Sequence, residues 1–310
     1  MSNSLKNFKK DLLSVHIQGA TLVAQTTLQA LSHYAKSEKI PTTKADWKSL
    51  AKIQEDLANL RPTEPLARNI SRWFVYELKK RAVNLNKSNW NKLVEQLVVK
   101  LEAYLKQAEN KLSHAGVVAL TAKRNIFTHC HSSLAEKVLL AAHRKGKRFK
   151  VYHTETRPLF QGHITDKHLR HSKIPCAMVA DSAAAWLVSN HSGDDVKINL
   201  VLLGADSIAR DGSVLNKIGS FGIALAAYDS KIPVYIAATL LKADMKGESK
   251  IELRPRQELW PHAPRGTKII NYAFDKVPAK YITGIICEFG IIKPKQVVKL
   301  VKQHYPWLSK

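Results

Sequence analysis

Residues 127–133 read FTHCHSS, with Cys130 between two histidines, after an apolar run and before a helical stretch. Those residue types admit three chemistries: a reactive thiol, a metal ligand, or ordinary packing. A cysteine at a strand end beside a helix N-terminus meets free N–H groups and the positive end of the macrodipole. That setting favours a thiolate and lowers its pKa. His129 and His131 flank it and would point to opposite sides of an extended chain, which argues against one shared metal. A lone cysteine after an apolar run also packs well with no chemistry at all.

Three further motifs carry polar groups suited to a site. Asp206 ends the apolar run in LVLLGADSI. Its carboxyl either shapes the turn or, facing a thiol across a dry pocket, has its pKa raised and works as a general acid or base. SVLNKIGSFGIALAAY places Asn216 and Lys217 at the expected start of a helix, with Gly219 and Gly222 behind them. A helix N-terminus with Lys and Gly is a phosphate cradle, although a solvated lysine and glycines that permit tight packing fit the same pattern. TETRPLFQG sets Glu155 near Arg157, which either grips a phosphate or pairs with Glu155.

The elements that must position these groups change character along the chain. Up to about residue 120, apolar residues recur at three- and four-residue spacing, as in NWNKLVEQLVVKLEAYLKQAENKL, and predict helix after helix. RPTEPLARN interrupts that pattern with two prolines. From 121 to 310 short apolar runs (RNIFTHC, FKVYHTE, CAMVADS, INLVLLGAD, VYIAATL, GIICEFG) alternate with helical stretches. This predicts an α/β fold: a helical domain over 1–120, then a Rossmann-like, doubly wound parallel sheet over 121–310. In SSLAEKVLLAAHRKG, Ser133 and Glu136 read as a capping box and Gly146 as a stop. Ligands in such sheets bind beyond the carboxyl ends of the strands. THCHSS, TETRP, ADS and GADS follow the first four predicted strands.

Composition narrows the class. A chain of 310 residues that is 45% hydrophobic can bury a sizeable core. Its 49 Lys and Arg against 25 Asp and Glu leave +24, which favours anionic partners. The basic residues are scattered and no aromatic-basic signature interleaves them, so nucleic acid is not the expected partner. Three separated cysteines give neither a disulfide framework nor a zinc pattern. MSNSLKNFKKDLL lacks a signal peptide's apolar core and no run is long enough for a membrane span, so a cytoplasmic setting is expected.

Taken in order, FTHCHSS, FKVYHTETRPLFQGHITDKHL, VADSAAAWL, LVLLGADSIARDGSVLNKIGSFGIALAA and FDKVPAKYITGIICEFGIIKP resemble the initiation factor 2B alpha/beta/delta family. That family includes translation-factor regulatory subunits, methylthioribose-1-phosphate isomerases and ribose-1,5-bisphosphate isomerases. The resemblance implies a catalytic pair at Cys130 and Asp206, which animal translation-factor alpha subunits typically lack. His131-Ser132-Ser133 after the cysteine is similar to the archaeal ribose-1,5-bisphosphate isomerase type, whereas methylthioribose-phosphate isomerases usually have Asn-Thr-Gly. The implied reaction is aldose–ketose isomerisation of ribose 1,5-bisphosphate to ribulose 1,5-bisphosphate, without metal or organic cofactor. Implied substrate contacts are Gln18, Gly19, Ala20, Thr21, Arg61, Asn216, Lys217 and Lys242, with Glu155 and Arg157 as further candidates. One position departs from the family: its loop usually reads Arg-Gly-Ala-Gly, and Gln18 here replaces the phosphate-binding arginine. The resemblance also implies a homodimer through the C-terminal domain, or a hexamer. The alternatives are a translation-factor-like regulator binding a nucleotide or sugar phosphate, and methylthioribose-1-phosphate isomerase.

Overall fold

Helices fill the described chain up to Ala119: α1 (Asn3–Leu13), α2 (Ala20–Ser37), α3 (Lys44–Ala58), α4 (Pro65–Arg81) and α5 (Lys87–Ala119). The computed structural model describes residues 3–13, 17, 19–83, 85–120, 124–191, 193 and 196–309. On the 33-residue α5, Trp90, Val94, Leu97, Leu101, Leu105 and Leu112 recur at helical spacing and are buried. Burial of that stripe, and not propensity alone, holds so long a helix against the rest. Thr43 and Asp46 close a reciprocal capping box on α3. Pro65 opens α4 at a position where its missing N–H costs nothing, so only residues 61–64 of the RPTEPLARN break are irregular.

From Arg124 strand and helix alternate: β1 (Arg124–Thr128), α6 (Ser133–Arg144), β2 (Phe149–Thr154), α7 (Gly162–His171), β3 (Cys176–Val179), α8 (Ala184–Val188) and β4 (Leu200–Gly204). Then come β5 (Ser207–Ala209), β6 (Val214–Lys217), α9 (Ser220–Asp229), β7 (Val234–Ala237), β8 (Ala243–Asp244), β9 (Phe274–Val277), β10 (Gly284–Cys287), β11 (Gly290–Ile292) and α10 (Val297–His304). The main sheet has the order β11-β10-β7-β4-β1-β2-β3, parallel throughout except for the β10–β11 hairpin. Every residue of β4 and β10 is buried, as strands covered on both faces require. One apolar core runs from Leu28, Phe74 and Trp90 of the helices to Phe127, Val201 and Ile285 of the sheet. The parallel α/β architecture with its helical N-terminal region is therefore as expected.

Two local expectations are corrected. A second, four-stranded sheet of order β8-β5-β6-β9 stands beside the first, and Asn216 and Lys217 lie on its strand β6, not at a helix start. Their ladder partners, Asp275 and Phe274, are far away in sequence, so local periodicity carries no sign of the pairing. The cap of α6 is Ser132, whose side chain accepts from the Ala135 N–H, one residue before the predicted Ser133. Gly146 does stop α6, with φ 78° and its N–H donating to the His143 carbonyl. Among the described residues no helix is long and apolar enough to cross a membrane.

Candidate active site

The chain runs outward from β1 to β2 and β3, then returns so that β4 lies on the other side of β1. That reversal is the switch point where open α/β sheets leave a crevice at the strands' carboxyl ends. Cys130 follows β1 and Asp206 follows β4, and the two strands are direct neighbours in register Phe127↔Val201. Topology thus delivers both side chains to the wall of one cavity of about 510 Å³, within the roughly 300–1,000 Å³ usual for small-molecule sites. Gly204 permits the approach: a Cβ there would stand 2.4 Å from Ser132 Oγ.

Cys130 has φ 64°, a left-handed conformation that non-glycine residues adopt only when their surroundings enforce it. Its N–H donates to Thr156 Oγ1 at 3.0 Å, and its carbonyl accepts from Thr165 Oγ1 on α7 at 3.0 Å. Behind Thr156 the direction of each hydrogen bond is dictated by chemistry. Burial lowers the pKa of His129 and keeps the ring neutral. Its Nε2 lies 2.8 Å from the Ile218 carbonyl, which can only accept, so Nε2 carries the proton and Nδ1 accepts from Thr154 Oγ1 at 2.6 Å. Thr154 Oγ1 in turn accepts from Thr156 Oγ1 at 2.9 Å. The relay ties the Cys130 loop, through two hydroxyls and an imidazole, to the residue next to Lys217.

The thiol's electrostatics reverse the expectation drawn from sequence. Burial pushes Cys130 up to about 11; Lys217 and a backbone hydrogen bond pull it down, while Asp206 and Asp181 add to the rise. Desolvation therefore outweighs the nearby cation, and the resting group is a thiol. The Ser132 hydroxyl already accepts from the Ala135 N–H of the first turn of α6.

Of the other residues singled out from sequence, Gly19, Ala20, Thr21, Arg61, Asn216, Lys217 and Lys242 line the same cavity. Gln18 lies outside the described residues. Glu155 and Arg157 do not line the cavity: Arg157 stacks its guanidinium on Phe160 at 4.9 Å and its N–H donates to Asp181, while no Glu155–Arg157 ion pair forms among the described residues. The α9 N-terminus is no phosphate cradle either. Asp275 Oδ2 already accepts from the N–H groups of Gly219 at 2.7 Å and Phe221 at 3.0 Å.

The candidate phosphate ligands differ in what holds them. Lys242 Nζ donates to the Ala205 carbonyl at 2.7 Å, and burial lowers its pKa against the pull of Asp206 and Glu64. Asn216 donates its amide to Ser220 Oγ at 2.8 Å. Arg61 is gripped by Glu64 at 2.7 Å, with Glu252 at 3.6 Å. Lys217 stands over the Phe274 ring at 5.1 Å, and no carboxylate among the described residues pairs with it. It is the readiest anion contact. Glu64, Glu252 and Thr156 are groups that sequence reasoning missed, and it read His129 only as a flank of Cys130. Glu64 and Thr156 stood in the quoted stretches RPTEP and TETRP, the first of them read as a helix break. Two clusters of metal-ligand type, His131–Glu136–His168 and His153–Asp166–Cys176, flank α7, and neither includes Cys130 or Asp206.

Comparison with known proteins finds relatives along nearly the whole chain. The profile of the initiation factor 2 subunit family matches residues 16–294. A ribose 1,5-bisphosphate isomerase of Pyrococcus furiosus is 31% identical over 96% of this chain and 93% of its own. A methylthioribose-1-phosphate isomerase of Trichlorobacter lovleyi is 29% identical over 89% and 84%. Among solved structures, the 5-methylthioribose 1-phosphate isomerase of Pyrococcus horikoshii superimposes with a TM-score of 0.76 at 25% identity, covering 96% of this chain and 87% of that one. The translation initiation factor eIF-2B of the same organism shares the fold, with a TM-score of 0.78 at 23% identity over 96% and 99%.

Proposed function

Since the chain belongs to the initiation factor 2 subunit family, and its cavity sets a thiol and a carboxyl at the ends of adjacent strands, we propose that it is an aldose–ketose isomerase of a phosphorylated ribose, converting ribose 1,5-bisphosphate to ribulose 1,5-bisphosphate. The observation that carries this reading is the convergence of Cys130, Asp206 and Lys217 on one cavity. A regulatory subunit that only senses a ligand needs the lysine but has no use for the pair.

The anomeric phosphate must stay on, so the ring opens. One proton passed from Cys130 to Asp206 gives both working forms, a thiolate and a carboxylic acid, without changing the charge of the pair. The bond from C1 to the ring oxygen breaks as Asp206 gives that oxygen its proton. The thiolate takes the C2 proton and leaves an enol phosphate. Cys130 then returns its proton to C1 while Asp206 takes the C2 hydroxyl proton, and the 2-ketone forms with both residues restored. Lys217 neutralises the anomeric phosphate, the cavity walls shield the enol from water, and the relay through Thr156 holds the thiol where C1 and C2 are both in reach. The step needs no metal or organic cofactor.

The chain works as a cytoplasmic homo-oligomer, a homodimer or hexamer. Support comes from Trp186 on α8 and Phe221, Leu225 and Tyr228 on α9, a cluster of large apolar side chains left 39–57% exposed.

The test is isomerisation of ribose 1,5-bisphosphate followed by proton NMR in deuterated water, with the parent protein beside Cys130→Ser and Asp206→Asn. Turnover lost in both variants, with the C2 hydrogen carried to C1 and little deuterium entering the product, is the expected result. A parent protein inactive on this sugar but active on methylthioribose 1-phosphate moves the assignment to that substrate. Binding without turnover of either moves it to a sensor.

A further inference from the structure

The end of the cavity formed by Arg61, Glu64 and Glu252 is ill matched to a second phosphate. Four basic side chains line the cavity against three carboxylates, and Arg254 is taken up by Glu258 at 2.6 Å. Arg61 is already engaged by two carboxylates. Arg61 Nε and Glu252 Oε1 face each other at 3.6 Å, too long for a hydrogen bond, and Glu64 Oε2 is buried with no hydrogen-bond partner, Glu64 being only 1% exposed. Buried polar atoms left unpaired are costly, and in a cavity wall they mark where a ligand binds. Two acceptors beside one donor suit a hydroxyl. A phosphate dianion accepts only, and it would face two carboxylates.

We propose that Glu64 sets the selectivity of this end of the cavity: ionised, it holds Arg61 and accepts from a hydroxyl-bearing sugar terminus; protonated, it donates to a phosphate there and leaves Arg61 free to bind it. The proposal rests on reading the cavity as a sugar-phosphate site, and it deepens that reading by making the preferred terminus depend on proton concentration. The groups facing Glu64 are Arg61 from its own loop, Asp206 after β4, Lys242 on the turn before β8, and Glu252 from the segment before β9. Burial lifts Glu64 to about 7; Arg61 and Lys242 oppose the rise, and Asp206 and Glu252 add to it. Both forms are therefore populated at neutral pH.

The sign follows from linkage. A bisphosphate binds the protonated form and takes up a proton as it binds. Its affinity relative to ribose 1-phosphate thus falls about tenfold for each pH unit above 7. The phosphate's own second ionisation, near about pH 6, works the other way, since added charge favours binding to a basic site.

The experiment is titration calorimetry of ribose 1,5-bisphosphate and ribose 1-phosphate on Cys130→Ala protein, which cannot turn them over, with and without Glu64→Gln, between about pH 6 and pH 8.5. The expected result is a bisphosphate-to-monophosphate affinity ratio that falls above pH 7, with proton uptake. Glu64→Gln flattens the ratio and raises it about tenfold near pH 8. A ratio that does not move with pH, or that keeps its slope in Glu64→Gln, overturns the proposal. Initial rates of the unmodified protein on both sugars read the same slope if a variant fails to fold. Binding with the expected slope but no turnover by the unmodified protein sinks the isomerase reading and leaves the selectivity standing. If neither sugar binds, both readings fall.

Discussion

The relay from Cys130 to His129 makes a prediction whose size follows from its hydrogen bonds. Thr156→Val removes the acceptor of the Cys130 N–H and the donor to Thr154 Oγ1. Thr154→Val removes the donor to His129 Nδ1 and the acceptor for the Thr156 hydroxyl. Both threonines are fully buried, so each single change strands buried polar groups at a cost of about 1–3 kcal/mol. The double variant is different. It deletes both ends of the Thr154–Thr156 hydrogen bond, so the orphan that each single variant leaves in that bond disappears. The double cost should fall short of the sum of the singles by about 1 kcal/mol. At about 2.1 cal/mol/K per residue, a chain of 310 residues loses about 3 °C of Tm for a 2 kcal/mol change. Denaturant unfolding of the four proteins gives the cycle, and initial rates of isomerisation give its functional face. Thr156→Val should lower kcat much more than it raises KM, because a loosened thiol loses orientation and not affinity. Thr156→Ser, which keeps the hydroxyl, should restore most of kcat. Additive stability costs, or a Thr156→Ser as impaired as Thr156→Val, would refute the relay.

Two further outcomes follow from the same geometry. Because burial holds Cys130 at about 11, its thiolate fraction at neutral pH is small and climbs about tenfold per pH unit up to that value; alkylation of Cys130 by iodoacetamide, followed by mass spectrometry of its peptide, should show this slope, and a rate already level at pH 8 would contradict it. Gly204→Ala forces a methyl to within 2.4 Å of Ser132 Oγ, so it should destabilise the protein by about 1–3 kcal/mol and lower activity; a variant with unchanged Tm and turnover would show that the two strand ends do not meet as described.

The candidate residues Cys130 and Asp206 and the order of the main elements were legible in the chain itself. Continuous apolar runs such as LVLLG announce a doubly covered strand, and helical spacing from Trp90 to Leu112 announces α5, because burial on two faces or on one stripe writes itself into local composition. From that alternation it follows that Cys130 and Asp206 sit at strand ends. Tertiary structure decided the rest. That β4 lies beside β1, and so brings Asp206 to Cys130, is a fact of strand order. That Asn216 and Lys217 are on a strand depends on pairing with Phe274–Val277, nearly sixty residues on. The sign of the Cys130 shift also needed three dimensions. A helix N-terminus and a nearby lysine can be read in a sequence, but the desolvation that outweighs them is the summed exclusion of water by segments distant along the chain. Glu64 shows the same limit most clearly. In RPTEP it is one acidic residue in a turn, and only folding sets it beside Arg61, Lys242, Asp206 and Glu252, where burial and four charges fix what one carboxyl does.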